Sequence, residues 1–169
     1  MALNSQLQLN VIGSLLTSLD LADATVNLNK TYKAAMTSGV AAGQADLIFH
    51  DTRTIAASSN DDIDLAGVLA GLLGGTLTFV KIKGLIVAAA AGNTNNVVIG
   101  AAAANPWTAL LGATHTLQVR PGAVQAVFAG EGDSTGYAVV AGTGDILRIA
   151  NGAGGSTVTY DLIVIGTSA

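Results

Sequence analysis

The two histidines are the side chains of this sequence best suited to acid–base chemistry. His50 and His115 each lie inside a strand-like pattern, and no nucleophile motif stands near either of them. A hydrolytic triad needs a nucleophile next to a histidine that an acid orients. We therefore interpret both histidines as structural residues.

Carboxylates are the other groups that could carry a reaction. A carboxylate pair for glycoside hydrolysis stays open, because the sequence does not show which acids meet in space. The chain has a single Glu, and only 4% of its residues have the aromatic rings that stack on sugars. It also lacks Cys, which removes thiolate chemistry and Cys-ligated zinc. We predict that the protein is not an enzyme and has no cofactor.

Asp61, Asp62 and Asp64 form the acidic cluster of the chain. A calcium-binding loop places oxygen ligands at alternating positions and adds a Gly for the sharp turn and a terminal Glu. This segment supplies neither the Gly nor the Glu in register. We expect no bound metal, and we expect Asp62 or Asp64 to cap a turn or a short helical segment that continues through Leu73.

Phosphate and nucleic acid are disfavoured as ligands. A phosphate-binding loop joins a strand to a helix through a Gly-rich turn, whereas the Gly clusters at 142–144 and 152–155 each lead into a strand-like segment. The net charge is -4, and the seven Lys and Arg residues are scattered. Nucleic-acid binding needs clustered basic residues, so the sequence predicts no nucleic-acid partner.

A membrane partner is also disfavoured. The longest unbroken apolar run, residues 85–91, is far shorter than the roughly 20 residues that span a bilayer. The N-terminus has no basic region before Val11 and no sustained apolar core, so we expect no secretory signal.

The composition predicts self-association. Half of the residues are hydrophobic and 11% are charged, against roughly a quarter charged in a typical soluble domain. A monomer with so few charges would expose wide uncharged surfaces. We therefore expect partner subunits to cover much of the surface.

Short segments rich in β-branched and aromatic residues recur between Gly, Asn, Asp and Thr turns. At least eight such strands, without a long amphipathic helix, predict an all-β fold: an antiparallel β-sandwich, jelly rolls included, with an N-terminal extension. Segments 137–140, 145–149 and 157–165 predict a three-stranded antiparallel meander. Segment 76–90 predicts the longest strand, followed by a hairpin to residues 97–100.

Alternation along two strands predicts which side chains face the core. In the closing strand one face, predicted to be buried, carries Val158, Tyr160, Leu162 and Val164. In the long strand, Lys81 and Lys83 are predicted to lie together on the outer face.

The chain divides into residues 1–40, an N-terminal arm and first strand, and residues 41–169, the β-sandwich domain. Residues 1 to about 19 carry apolar side chains but no charged one. They form either an arm that lies on a neighbouring subunit, or a first strand or short helix of the same domain. The arm interpretation predicts that the contacts with other subunits include Leu7, Leu9, Val11, Leu15, Leu16 and Leu19.

Trp107 is the single Trp of the chain and follows the turn Asn105-Pro106. It is interpreted either as a core side chain or as an anchor in an interface, and it is included among the predicted contacts. Together with Asp133 and Tyr137, it is also a candidate for sugar binding, since glycan sites combine aromatic rings with carboxylates.

Short motifs centred on Gly, Asn and Asp recur between about residue 40 and residue 169. They are Gln44-Ala-Asp46, Asp51-Thr-Arg53, Asp64-Leu-Ala66, Phe79 with Lys83, Gly92-Asn-Thr94, Gly136, Thr143-Gly-Asp-Ile-Leu147, Asn151-Gly152 and Tyr160-Asp161 through Ile165-Gly166. Their combination resembles small virion proteins of tailed bacteriophages, of the capsid decoration or cement type. The resemblance does not reach the N-terminal segment.

The resemblance implies a structural protein of the virion that binds the outer surface of the head and bridges subunits of the major capsid protein. It implies no catalytic residues. Threefold sites on capsids would favour a homotrimer with closed symmetry. The alternative is a tail, fibre or head-fibre module that recognises host surface carbohydrate.

Overall fold

A computed structural model describes residues 2–67 and 69–169 of the chain, and its regular structure is all β. The β-branched and alternating segments of the sequence form the strands, and every pairing between them is antiparallel. The strands are β1 Ser5–Ser18, β2 Asp23–Met36, β3 Leu47–Ile55, β4 Asn60–Asp64, β5 Leu69–Ala70, β6 Thr76–Leu77, β7 Lys81–Ala89, β8 Val97–Gly100, β9 Thr116–Val119, β10 Val124–Phe128, β11 Tyr137–Ala138, β12 Ile146–Asn151 and β13 Val158–Thr167.

Two sheets face each other across one core. The front sheet has the order β10-β7-β13-β3, and β11 extends it by pairing with the start of β7. The back sheet has the order β4-β12-β8-β9. Two further two-stranded ribbons are formed by β1 with β2 and by β5 with β6. The predicted all-β, antiparallel sandwich is confirmed, and a jelly-roll order remains a finer prediction within it.

Consecutive strands mostly lie in different sheets. β12 pairs with β4 and β8 in the back sheet, whereas β11 and β13 pair with β7 in the front sheet. The meander predicted over residues 137–165 is therefore wrong. The hairpin predicted between residues 76–90 and 97–100 is wrong too, because β7 and β8 lie in opposite sheets. Turn residues mark where the chain reverses, but they do not determine which sheet receives the next strand.

The closing strand β13 lies between β7 and β3 and supplies the centre of the core. Its predicted buried face is confirmed, since all four of its side chains lie in the main cluster. Side chains of the back sheet, among them Ile99 and Ile149, pack against them from the other side. The four β13 side chains are Val158, Tyr160, Leu162 and Val164.

Lys83 lies at a β-bulge and is buried against the loop that contains Asp133 and Gly136. Ile165 pairs with Gly84 and Gly166 pairs with Ile82, so Lys83 between them has no partner across the strands. The predicted outward position of Lys83 is wrong, because the residue is only 2% exposed. Its Nζ donates to the backbone oxygen of Asp133 at 2.5 Å, and burial lowers the pKa of Lys83 below its ordinary value.

Close backbone contact at the same bulge requires glycine at position 166. A Cβ on Gly166 would overlap the carbonyl oxygen of Lys81 and the ring of Phe79. The neighbouring Thr167 is fully buried, and its carbonyl oxygen accepts the N–H of Val80 at 2.8 Å. The bulge and this contact therefore fix the end of β13 on the start of β7.

The segment after the acidic cluster is not helical. The chain forms the short ribbon of β5 and β6, so the helical segment predicted to continue through Leu73 is wrong. The single long strand predicted over residues 76–90 is two strands, β6 and β7, with the buried Phe79 between them. No helix in the part of the chain that the structure describes is long and apolar enough to cross a membrane.

Replacing Leu162 by Ala tests the packing of β13. We expect Leu162→Ala to lower the free energy of unfolding by about 2–5 kcal/mol, because burial is lost and a cavity forms between the sheets. Urea unfolding followed by circular dichroism measures the change. Leu21→Ala is the matched control, since Leu21 is 98% exposed, and should change stability by less than about 0.5 kcal/mol. An unchanged unfolding midpoint for Leu162→Ala would contradict this account of the core.

Candidate interaction surface

The first two strands form a long ribbon that we call the arm, residues 5–36. The pairing runs without interruption from Ser5 opposite Met36 to Ser18 opposite Asp23. Fourteen residues per strand at about 3.3 Å each give a ribbon roughly 45 Å long. The N-terminal segment is therefore a strand, but its partner is β2, and most of the ribbon is exposed.

The base of the arm rests on the outer face of the front sheet. Leu7, Ala34 and Met36 are buried there together with Ile165, in a second cluster separate from the main core. The backbone N–H of Ala35 also donates to Glu131 Oε1 at 2.8 Å. These contacts fix the direction in which the ribbon leaves the sandwich.

The two faces of the arm differ in character, because side chains alternate along each strand. The register places Leu9 opposite Tyr32 and Leu15 opposite Val26 on the face that carries Leu7. We call this the apolar face. Beyond the base it is exposed, and its larger apolar side chains are Leu9, Val11, Leu15, Val26, Leu28 and Tyr32.

The opposite face of the arm is mainly polar. Gln6 Nε2 donates to Gln8 Oε1 at 3.0 Å, and Gln8 Nε2 donates to Asn10 Oδ1 at 3.1 Å. The hydroxyl of Thr31 donates to the same Asn10 oxygen at 2.9 Å. The polar side chains of this face thus have hydrogen-bonding partners within the arm, whereas the apolar side chains of the other face are exposed beyond the base without a packing partner among the described residues.

The predicted contact residues of the N-terminal segment fall into three places. Leu9, Val11 and Leu15 lie exposed on the apolar face, Leu16 lies on the polar face, and Leu19 lies in the exposed tip. Their role in contacts to a partner stays a prediction. Leu7 differs from them, because its side chain is buried against its own front sheet, and its predicted contact likewise stays a prediction.

Half of the apolar face was missing from the sequence prediction. Val26, Leu28 and Tyr32 of β2 lie on the same face as Leu9, Val11 and Leu15. Only the pairing with β1 brings the two sets together, and the tip has no Asn-Gly signal that would have indicated a hairpin. The sequence prediction therefore identified only the uncharged residues 1–19, which form one half of a surface that two strands build together.

Trp107 is a core side chain. It is 7% exposed, and its Nε1–H donates to the backbone oxygen of Ala138 at 2.8 Å. Its ring meets the edge of Tyr137, with ring centroids 6.4 Å apart. The burial and the hydrogen bond favour the core interpretation of Trp107, and its predicted contact with the capsid or another subunit stays a prediction.

Asp133, the sugar-binding candidate besides Trp107 and Tyr137, accepts hydrogen bonds within its own loop. Asp133 Oδ1 accepts the N–H and the hydroxyl of Thr135, both at 2.7 Å, and the N–H of Gly136 at 3.0 Å. The bond from the Thr135 hydroxyl and the two backbone bonds lower the pKa of Asp133 to about 2. Asp133 therefore fixes a turn, and the two rings of the candidate set pack on each other.

The outer face of the front sheet carries a second open apolar surface, beside the base of the arm. A groove of about 600 Å³ lies there between the arm residues 4–9 and the sheet. We call it the sheet groove. The side chains that line it from the sheet are Ile48, Ile86, Val124, Ala126, Phe128, Ile163 and Ile165.

The acidic cluster is divided among different partners. Asp62 accepts two hydrogen bonds from Arg148, at 2.6 and 2.7 Å, and the bond from Arg148 lowers the pKa of Asp62. Asp64 Oδ1 accepts the N–H of Ala66 at 3.0 Å, which confirms the predicted turn cap. Among the described residues, no three His, Cys, Asp or Glu side chains are grouped so as to hold a metal ion.

Asp61 has a separate role as the acceptor of a buried hydroxyl. Its Oδ2 accepts a bond from Arg53 Nε at 2.6 Å and a bond from the Tyr160 hydroxyl at 2.8 Å. Burial is the main cause that raises the pKa of Tyr160 far above its ordinary value, and the bond to Asp61 adds to it. The three groups link β3, β4 and β13 across the edge of the sandwich.

The histidines lie apart on the surface. His50 is exposed on the outer face of β3, and His115 is exposed in the loop before β9. The backbone N–H of His115 closes a turn onto the oxygen of Gly112 at 2.9 Å. The structure therefore gives each histidine a place in the fold without joining it to the acidic cluster.

We predict that the raised pKa of Tyr160 makes the folded protein less stable at alkaline pH. Because its folded-state pKa is raised, its contribution is fully present below the unfolded value of about 10 and is lost as the pH rises through the folded value. Urea unfolding at about pH 7 and about pH 11 should show a smaller alkaline loss for Tyr160→Phe than for the parent chain, although the variant starts about 1–3 kcal/mol less stable.

Tyr32→Phe is the control for this titration, since Tyr32 lies exposed on the arm. It should follow the parent chain at both pH values. Equal alkaline losses in the parent and in Tyr160→Phe would contradict the assigned role of the Tyr160 hydroxyl.

The arm and the sheet groove are two of the exposed apolar surfaces in the part of the chain that the structure describes. Comparison of the chain with protein families, with curated proteins and with solved structures finds no match.

Proposed function

We propose that the chain is a structural virion protein, a capsid decoration or cement protein of a tailed bacteriophage. In this role it binds the outer surface of the head and stabilises it by bridging subunits of the major capsid protein. The observation that carries the proposal is the arm, an exposed ribbon about 45 Å long with one apolar face. Such a ribbon extends beyond the sandwich and exposes an apolar surface that a neighbouring protein can bind. A cement protein needs such a surface to bridge capsid subunits.

The order of the strands supports a jelly roll and, with it, a structural role. Eight strands occupy two sheets as β10-β7-β13-β3 and β4-β12-β8-β9. The chain changes sheet at each step between them except from β8 to β9, which pair directly. Two interleaved Greek keys have this order, and jelly rolls recur in viral capsid and lectin domains. Because one fold serves many functions, the proposal rests on the arm, and the fold is consistent with it.

The use of charge supports a protein without catalytic activity. Arg53 and Arg148 are paired with Asp61 and Asp62, and Lys83 donates to a backbone oxygen in the interior. Active sites instead hold titratable groups together in a cleft with access for substrate. The charges of the sandwich thus support its strands and loops.

Self-association belongs to the proposal. We propose a homotrimer, because threefold positions on a head suit a closed three-membered assembly. The low charge of the chain, 11% of its residues, and the exposed apolar face of the arm both favour cover by other subunits.

A head-binding experiment tests the proposed function. Heads assembled from the major capsid protein of the same genome, without this chain, are mixed with the parent protein or with a variant whose arm is shortened. In the variant, Asn-Gly replaces residues 10–31. Leu9 and Tyr32 are then joined by a two-residue turn, and the base contacts of Leu7 are kept. We expect the parent protein to co-sediment with the heads and the variant to bind at least about tenfold more weakly.

Two substitutions outside the arm serve as controls. His50→Ala and His115→Ala should bind heads as the parent does, because we assign neither histidine to an interaction. Failure of the parent protein to bind heads, or its binding to host cells instead, would contradict the proposed function. Equal binding by the shortened variant would contradict the role of the arm.

A further inference from the structure

One chain presents two apolar surfaces that no described residue covers, and the structure relates them. The apolar face of the arm is already in contact with the front sheet at its base, through Leu7 and Ile165. The same face continues outward, exposed, and the same sheet continues sideways as the open sheet groove. Within one chain, the apolar face of the arm thus already packs on the outer face of the front sheet.

The arm cannot fill its own groove with its outer part. Leu28, opposite Gly13, lies six residues beyond Leu7 along the ribbon, a distance of about 20 Å. The pairing between β1 and β2 has no bulge that would turn the ribbon back. A sheet groove for the outer part of the arm must therefore belong to another copy.

The two surfaces match in chemistry. Leu28 is 53% exposed on the arm, and Val124 is 62% exposed at the edge of the sheet groove. Lys30 is the charged side chain on the apolar face of the arm, and Asp161 is an exposed carboxylate on the outer face of β13, one step from Ile163. An apolar strip with one cation thus meets an apolar strip bordered by one anion.

The contact area requires more than one such contact per copy. The outer arm, residues 9–17 paired with 24–32, is about 30 Å long and about 10 Å wide, so one contact buries about 600 Å² over both surfaces. A stable interface buries at least about 1,200 Å². A reciprocal pair places two such contacts in one interface and reaches this range. In a closed ring each copy also makes two such contacts, one with each neighbour.

We propose that the outer arm of one copy lies with its apolar face on the sheet groove of a second copy, and that this exchange assembles the protein. The inference deepens the self-association in the proposed function, because it names the two surfaces that meet. Its experiment uses free protein without heads. A failure here therefore leaves head binding to be decided by its own test.

Cross-linking between two single-cysteine proteins tests the exchange, and the absence of native Cys makes each introduced thiol unique. Leu28→Cys, on the apolar face, is mixed with a mass-tagged Ala126→Cys, in the sheet groove, and treated with a short bifunctional maleimide. Asn29→Cys replaces Leu28→Cys as the matched control, since Asn29 lies on the polar face of the arm. We expect the mixed product from Leu28→Cys and at least about tenfold less from Asn29→Cys.

Sedimentation equilibrium of cysteine-free protein gives a second measure that needs no thiol. The parent chain should sediment as a multiple of 16.7 kDa, and the shortened-arm variant should sediment as a folded monomer. If Leu28→Cys cross-links mainly to a second Leu28→Cys chain, the arms pack on each other, and the proposal is overturned. A monomeric parent chain, or equal mixed products from both faces of the arm, would overturn it as well.

Discussion

The side chains that β13 directs between the two sheets hold the sandwich together. The strand pairs along almost its whole length with β3 on one side and β7 on the other, and its inward side chains, from Val158 to Val164, are buried against the back sheet. Because side chains alternate, the outward residues Ile163 and Ile165 form the floor on which the arm rests. One strand thus determines both the core and the site where the arm is attached.

Several of the few charged groups in the sandwich have a defined structural partner. Arg53 and Arg148 connect strands through Asp61 and Asp62, and Glu131 holds the backbone of the arm at Ala35. Surface pairs of this kind contribute little energy each, but they determine register and the direction of the arm. The consequence is an outer surface with few charges to prevent association, so the uncovered apolar faces decide how the molecule meets others.

Alternation in the sequence predicted what depends on one strand alone. The buried face of Tyr160 and Leu162 was predictable, since it depends only on a period of two. The burial of Lys83 was not predictable, because it depends on the bulge in the pairing of β7 with β13 and on the distant loop at Asp133, to which Lys83 donates. The sheet that receives β12, and the faces that join Leu15 to Val26, also depend on pairing between distant segments. Periodicity likewise gave no means of separating a core Trp107 from an interface residue, since both are apolar.

The arm has three surfaces that a partner could use, and physical chemistry distinguishes them. Its strand edges offer unpaired backbone groups, which water satisfies and which the strong twist of a two-stranded ribbon keeps from pairing with a flat partner. Its polar face has bonds among Gln8, Asn10 and Thr31. The apolar face gains most from leaving water. Association carries a fixed entropic cost, because each copy loses translational and rotational freedom. A closed assembly adds a second arm-to-sheet contact without repeating this loss, so it is favoured over an assembly with a single contact.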